Sequence, residues 1–155
     1  MAKVKNWIRY DKINKHGHVD SVVHTEDMLR MQWVNLGDVL DTAQGEEVAV
    51  TFAEEGEAAD AFIGHMDINY GYLDYDDAFA LVEAGEPTRA VHPTKGDIIS
   101  INIELANGAV KGDELAIGPE GLGVKKASEG DVVIGRAIDT NYKEFVGELL
   151  VIRLA

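Results

Sequence analysis

The spacing of turn signals is the feature of this sequence that most restricts its fold. In the C-terminal half, Gly96-Asp97, Asn107-Gly108, Gly112-Asp113, Gly118-Pro119 and Gly130-Asp131 cut the chain into short apolar runs. Turns recurring about every 8–12 residues are the pattern of a small β-barrel or sandwich. Ile99, Ile101, Ile103 and Leu105 alternate with Ser100, Asn102 and Glu104, which predicts a half-buried strand over residues 99–105. Further short strands are predicted around Leu115 and Ile117, in GLGVKKASEG, in DVVIGRAID and in GELLVIRLA. Asn141, Tyr142 and Lys143 fall in the link between the last two. The three Gly-Asp pairs read as turn punctuation: glycine takes φ > 0 without steric cost, and the aspartate bonds to backbone amides beyond it.

Within residues 131–139, Val132, Ile134 and Ile138 fall on one face of a predicted strand, interrupted by Arg136. Val133, Gly135 and Ala137 fall on the other. The shrinking second face predicts a close approach of another element at Gly135, or a bend of the kind a closing barrel requires.

The N-terminal half carries a weaker pattern. A strand is predicted to end near Leu36, followed by a Gly37-Asp38 turn and a strand with Val48, Val50 and Phe52 on one face. Short helical turns are expected near residues 25–33, capped by Thr25, and over residues 76–81; residues 54–62 are expected as a loop or helical turn. The expected fold class is mainly β: a small barrel or sandwich body with few short helical turns and an extended N-terminal arm. The expected segments are a basic arm over 1–28, a first β lobe with acidic loops over 29–90, and a small C-terminal β-barrel lobe over 91–155.

The 155 residues, 46% of them apolar, suffice for a buried core. No apolar run approaches the roughly 20 residues of a membrane span, and the N-terminal residues show no apolar leader, so no signal peptide is expected. The absence of cysteine excludes disulfides, thiolate catalysis and cysteine-ligated zinc. The net charge of −14 disfavours nucleic acid and anionic membranes as partners. That charge is unevenly placed. Residues 1–15 hold five bases (Lys3, Lys5, Arg9, Lys12, Lys15) against one acid, residues 16–90 two bases against seventeen acids, and residues 91–155 seven bases against ten acids. A basic stretch containing Trp7, Ile8 and Tyr10 is unlike a purely solvated terminus and reads as a binding tail.

Catalytic and metal motifs do not assemble. His16, His18, Asp20 and His24 have ligand chemistry, but lie in the expected arm beside Gly17, where nothing preorganises them. Asp67, Asn69, Asp74, Asp76 and Asp77 offer oxygen ligands, yet Ala78 stands where an EF-hand needs its bidentate glutamate, and the required glycine is one place late. Tyr70, Tyr72 and Tyr75 make the same stretch equally suited to protein contact. No Gly-x-Ser-x-Gly occurs, and GPEGLGVKK lacks the phosphate-loop spacing. No carboxylate pair sits in visibly different environments, as acid–base catalysis requires. The expectation is therefore a non-enzymatic protein without cofactor or metal. The alternative is a β-barrel binding module for a small ligand, carbohydrate or calcium through residues 67–77.

The order of segments in the second half resembles the capsid decoration (head-stabilising, cement) proteins of tailed bacteriophages. The residues that carry the resemblance are Lys111-Gly112-Asp113-Glu114-Leu115, Val124-Lys125-Lys126-Ala127 and Val133-Ile134-Gly135-Arg136-Ala137-Ile138. They are followed by an apolar strand over 149–154 and preceded by EAGEPTRAVHPTKGDIISI over 83–101. It covers residues 75–155, extends more loosely to residues 33–41, and leaves 1–30 unmatched. It implies a structural protein on the outer surface of the virion, made in the host cytoplasm, that binds the major capsid protein and bridges its subunits, commonly as a homotrimer. In that setting Lys3, Lys5, Trp7, Arg9, Tyr10, Lys12 and Lys15 are the expected docking residues, with Tyr70, Tyr72, Asp74 and Tyr75 as a second contact loop.

Overall fold

The computed structural model describes residues 5–13, 19–42, 45–64, 81–144 and 147–155. In chain order the strands are β1 Ile8–Lys12, β2 Val19–Val23, β3 Met28–Leu29, β4 Trp33–Thr42, β5 Gly45–Phe52, β6 Ala61–Ile63, β7 Leu81–Val82, β8 Thr88–Val91, β9 Ile98–Asn102, β10 Glu114–Ile117, β11 Val124–Lys126, β12 Gly135–Lys143 and β13 Gly147–Leu154. The fold is mainly β, as expected. Five strands close a barrel in the order β2-β5-β4-β6-β8, and six form a sheet in the order β1-β9-β13-β12-β10-β11.

Period-two alternation gives the barrel two uses. Val34, Val50, Ala61, Ile63 and Ala90 point inward, with Leu36, Val48 and Phe52 packed against them. The intervening residues Trp33, Phe62 and Val91 are opposed in register across β4, β6 and β8. They form a row on the barrel's outer wall that packs with Ile99, Ile101, Leu115, Ile117, Leu150 and Ile152 of the sheet. Burying each large side chain contributes about 1.5–3 kcal/mol. The edge-on contact of Trp33 with Phe62, centroids 5.3 Å apart, adds roughly 0.5–1.5 kcal/mol.

Polar contacts fix the two halves in place. Trp33 Nε1 donates to the Gly123 carbonyl at 3.0 Å, and the Gly123 amide donates to the Met31 carbonyl at 3.0 Å. The loop after β5 inserts Gly56, whose amide donates to the Ile117 carbonyl at 3.1 Å and whose carbonyl accepts from Val132 at 2.9 Å. Lys125 Nζ bridges Glu55 at 3.1 Å and Asp131 at 3.2 Å. These pairings raise the Lys125 pKa, while the Ser128 amide and then Lys125 hold the Asp131 carboxyl below its ordinary value.

The Gly-Asp turns form one device used three times. Gly96, Gly112 and Gly130 have φ of +92°, +96° and +88° at the third turn position, where a type II turn demands it. Each aspartate reaches back rather than forward: Asp97, Asp113 and Asp131 accept from the amides of Thr94, Val110 and Ser128 at 2.9, 2.9 and 2.8 Å. The same aspartates donate their own amides to the carbonyls of Thr94, Val110 and Ser128, closing each turn twice.

Several local expectations are corrected. Gly37-Asp38 is no turn. β4 runs through it with a register shift between Leu36 and Val39, a β-bulge, and a Cβ at Gly37 would lie 2.9 Å from the Ala49 carbonyl oxygen. Residues 103–105 leave the strand pattern for a 3-10 turn, Ile103–Ala106, followed by left-handed Asn107 and Gly108. Val132 and Val133 are exposed and precede β12, which starts at Gly135 and includes Asn141, Tyr142 and Lys143. The helical turn expected near residues 25–33 is replaced by β3, paired with β7. Residues 76–80 of the second expected helical turn lie outside the described residues.

The expected arm is drawn into the body where it is described. β1 pairs antiparallel with β9, and β2 is a barrel stave between β5 and β8. The signal for β1 is its own alternation, Ile8 and Tyr10 against Arg9 and Asp11, which its basic charge obscures. Chain order passes from barrel to sheet between Val91 and Ile98, yet Ile8, Met31, Trp33 and Phe62 share one core with the sheet.

Candidate functional site

Strand β1 places the described part of the expected docking set. Trp7 donates its amide to Asn102 Oδ1 at 2.6 Å, and Ile8 is buried. Tyr10 packs on the core, its hydroxyl 3.5 Å from the Gly64 carbonyl; burial pushes its pKa up to about 12, with the Arg30 charge opposing. Arg9 pairs with Asp11, and both bond Ser100, which is fully buried. Arg30, itself buried, donates to the Asn6 carbonyl at 2.8 Å. Trp7, Arg9 and Tyr10 therefore fasten the N-terminal segment to the sheet edge. Lys12 is exposed and Lys5 half-buried. Lys3 and Lys15 lie outside the described residues, as do Tyr70, Tyr72, Asp74 and Tyr75.

The sheet aligns cations that are far apart in sequence. Register pairs Lys12 with Ile98, Ile98 with Arg153, Arg153 with Arg136, and Arg136 with Glu114. The resulting row, Lys12–Ile98–Arg153–Arg136–Glu114, crosses five strands on the face opposite the core. Like charges directly opposite across a strand pair repel, so Arg136 facing Arg153 is unfavourable, and Glu114, opposite Arg136 on its other side, offsets part of that repulsion. Among the described residues neither guanidinium has an ion-pair partner. Lys95, in the first Gly-Asp turn, joins them around an open groove of about 290 Å³ whose apolar lining includes Val133 and Leu154.

In the sequence Arg136 stands only as a polar interruption of an apolar face, and Lys95 and Arg153 carry no local signal. The available signal was the hairpin register of GRA against IRL. Reading it requires the register shift between Ala137 and Asp139, which the sequence does not advertise.

Other expected ligands are committed elsewhere. Asp20 Oδ2 lies 2.6 Å from His92 Nε2, a barrel-strand pairing rather than a site shared with neighbouring histidines. His24 stacks on Phe52 with centroids 4.3 Å apart and accepts the Glu26 amide on Nδ1. His16 and His18, like Asp67, Asn69, Asp76 and Asp77, lie outside the described residues. Among the described residues no group of three His, Cys, Asp or Glu side chains is placed to hold a metal ion, and no helix is long and apolar enough to cross a membrane.

No protein-family model and no curated protein sequence matches the chain. Its fold is similar to that of the N base of head fibre gp8.5 of bacteriophage phi29, with a TM-score of 0.55 and 12% sequence identity. The match covers 90% of this chain and 94% of that one. At that identity the likeness is one of fold.

Proposed function

We propose that this chain is a non-enzymatic structural protein of a bacteriophage head. It docks on the outer surface of the capsid, contacts the major capsid protein, and stabilises the shell by bridging neighbouring subunits. The observation that carries this reading is the likeness of fold, over nearly the whole of both chains, to the base of a phage head fibre. The order of turn and strand motifs over residues 83–154 points the same way.

In this reading the docking cations are Lys3, Lys5, Lys12 and Lys15, while Trp7, Arg9 and Tyr10 hold their segment against the sheet. Strand β1 is an edge, so it can present Lys12 to a shell while its apolar face stays in the core. The copies act as an oligomer, a trimer favoured, because several linked contacts raise effective concentration for each later one. The acidic body faces solvent and keeps particles apart.

The test is co-sedimentation of the purified chain with heads that lack it. Combined K3E, K5E, K12E and K15E substitutions should abolish binding while leaving the circular dichroism spectrum unchanged. Binding at wild-type affinity would remove these lysines from the docking role. Failure of the wild-type chain to bind any such head would overturn the reading.

A further inference from the structure

Beyond Ala137, strand β12 is paired on one side only. Ala137 accepts from the Gly112 amide at 2.8 Å and donates to the Asp113 carbonyl at 3.0 Å, which ends the pairing on its β10 side. From Asp139 to Lys143 the strand pairs with β13, and among the described residues no strand pairs with its other edge. All five residues are exposed, Tyr142 to 64%. In an antiparallel ladder the amide and carbonyl of one residue point to the same side, and the sides alternate along the strand. The amides of Thr140 and Tyr142 donate to the side chains just before them, Asp139 Oδ1 and Asn141 Oδ1, each at 2.8 Å. Their amides and carbonyls therefore face away from β13 and form a short free edge, which is a template for another strand.

This edge is complementary to itself when reversed. Asp139-Thr140-Asn141-Tyr142-Lys143 can lie antiparallel on a second copy with Asn141 opposite Asn141. Asp139 then faces Lys143 at both ends, and Thr140 faces Tyr142 between them. The same register makes the Thr140–Tyr142 pairs the hydrogen-bonded ones, as the direction of their amides requires. A shift of two residues either way loses both charge pairs. Among the described residues neither Asp139 nor Lys143 has an ion-pair partner within its own chain. We infer that two copies of this chain join edge to edge through β12, antiparallel about a two-fold axis at Asn141. The Thr140 and Tyr142 amides exchange their side-chain caps for carbonyls of the second copy, which releases Asp139 to pair with Lys143 of that copy. Opposite charges set across a strand pair are favourable. The caps keep the edge satisfied in a single copy, so the contact is reversible. It is isologous and closes at two copies, so it goes beyond the three-fold association proposed above and links one oligomer to its neighbour.

A five-residue edge buries little area, and a contact of that size is weak, so cross-linking is the assay that captures it. The chain has no cysteine, and N141C introduces a single thiol. Opposed residues of a non-hydrogen-bonded antiparallel pair have Cα atoms about 4.5 Å apart, within the span of a disulfide. In a glutathione redox buffer N141C should form a disulfide-linked dimer of the 16.9 kDa chain. Y142C is equally exposed but faces Thr140 instead of itself, and should cross-link far more slowly. In the N141C background, D139K or K143D alone sets like charges opposite each other at both ends and should slow cross-linking on the order of 10-fold. The D139K/K143D exchange, and a mixture of the two single-charge variants, restore opposite pairs and should restore the rate. Failure of N141C to cross-link, equal rates for N141C and Y142C, single-charge variants as fast as N141C, or an exchange that stays slow would each overturn the inference. The experiment uses no heads, so its outcome is separate from that of the docking reading.

Discussion

Gly135 is where a single added carbon should do the most informative damage. Its backbone is not in the left-handed region, so the constraint is space. A Cβ there would lie 2.7 Å from the Arg153 carbonyl oxygen and 3.1 Å from Ile152 Cγ2. The oxygen belongs to β13 at the position beside Gly135 in the β12–β13 ladder, so relief requires parting two strands of the sheet. Overpacking of this kind costs about 1–3 kcal/mol. At about 2–4 °C per kcal/mol for a chain of this size, Gly135→Ala should lower Tm by roughly 2–12 °C, and Gly135→Val by more. Gly130 supplies the contrast. It has no atom within 4 Å of a built Cβ but a φ of +88°, so its constraint is conformational. Asparagine tolerates that region, so Gly130→Asn should be mild, whereas Gly135→Asn should be at least as harmful as alanine. Thermal unfolding followed by circular dichroism reads all four variants. A Gly135→Ala chain melting within about 2 °C of wild type would refute the close-packing argument.

Other consequences are equally concrete. Trp33→Phe removes the donor to the buried Gly123 carbonyl and should destabilise by about 1–3 kcal/mol in a urea titration; no change in midpoint would remove that bond from the joint between barrel and sheet. The lowered Asp131 pKa makes its contribution to stability fully present above its ordinary value of 3.8 and lost as pH falls below that, so Asp131→Asn should flatten the acid limb of the stability profile. Tyr10 is the opposite case: with its folded pKa raised to about 12, its contribution is intact below pH 10 and lost as pH rises between 10 and 12. Tyr10→Phe should remove the latest-titrating tyrosinate from the ultraviolet difference spectrum, and a late step that persists would contradict that assignment.

What the sequence revealed was set by local chemistry. Val48, Val50 and Phe52 declared a strand face because alternation needs no knowledge of partners, and the three Gly-Asp turns declared themselves through residue types that only such turns favour. The close approach at Gly135 was legible as a shrinking face. What stayed hidden depended on pairing. Gly37-Asp38 has turn chemistry, but the pairing of β4 with β5 continues past it and makes a bulge. Residues 103–105 keep the alternation of β9, yet the chain turns into a 3-10 segment beside β11 and β13. The alternation of β1 lay beneath its basic charge, so a strand read as a tail. The cationic row is least legible of all, because Lys12, Arg136 and Arg153 meet only through the register of four strands.

The proposed role is tested most directly by cryo-electron microscopy of heads to which the chain has been added, compared with heads that lack it. The account predicts added density on the outer surface, of the size of a barrel joined to a six-stranded sheet, with the β1 edge and Lys12 toward the capsid protein and the acidic barrel toward solvent. Heads with no added density, or density that meets the shell through the acidic barrel, would contradict it.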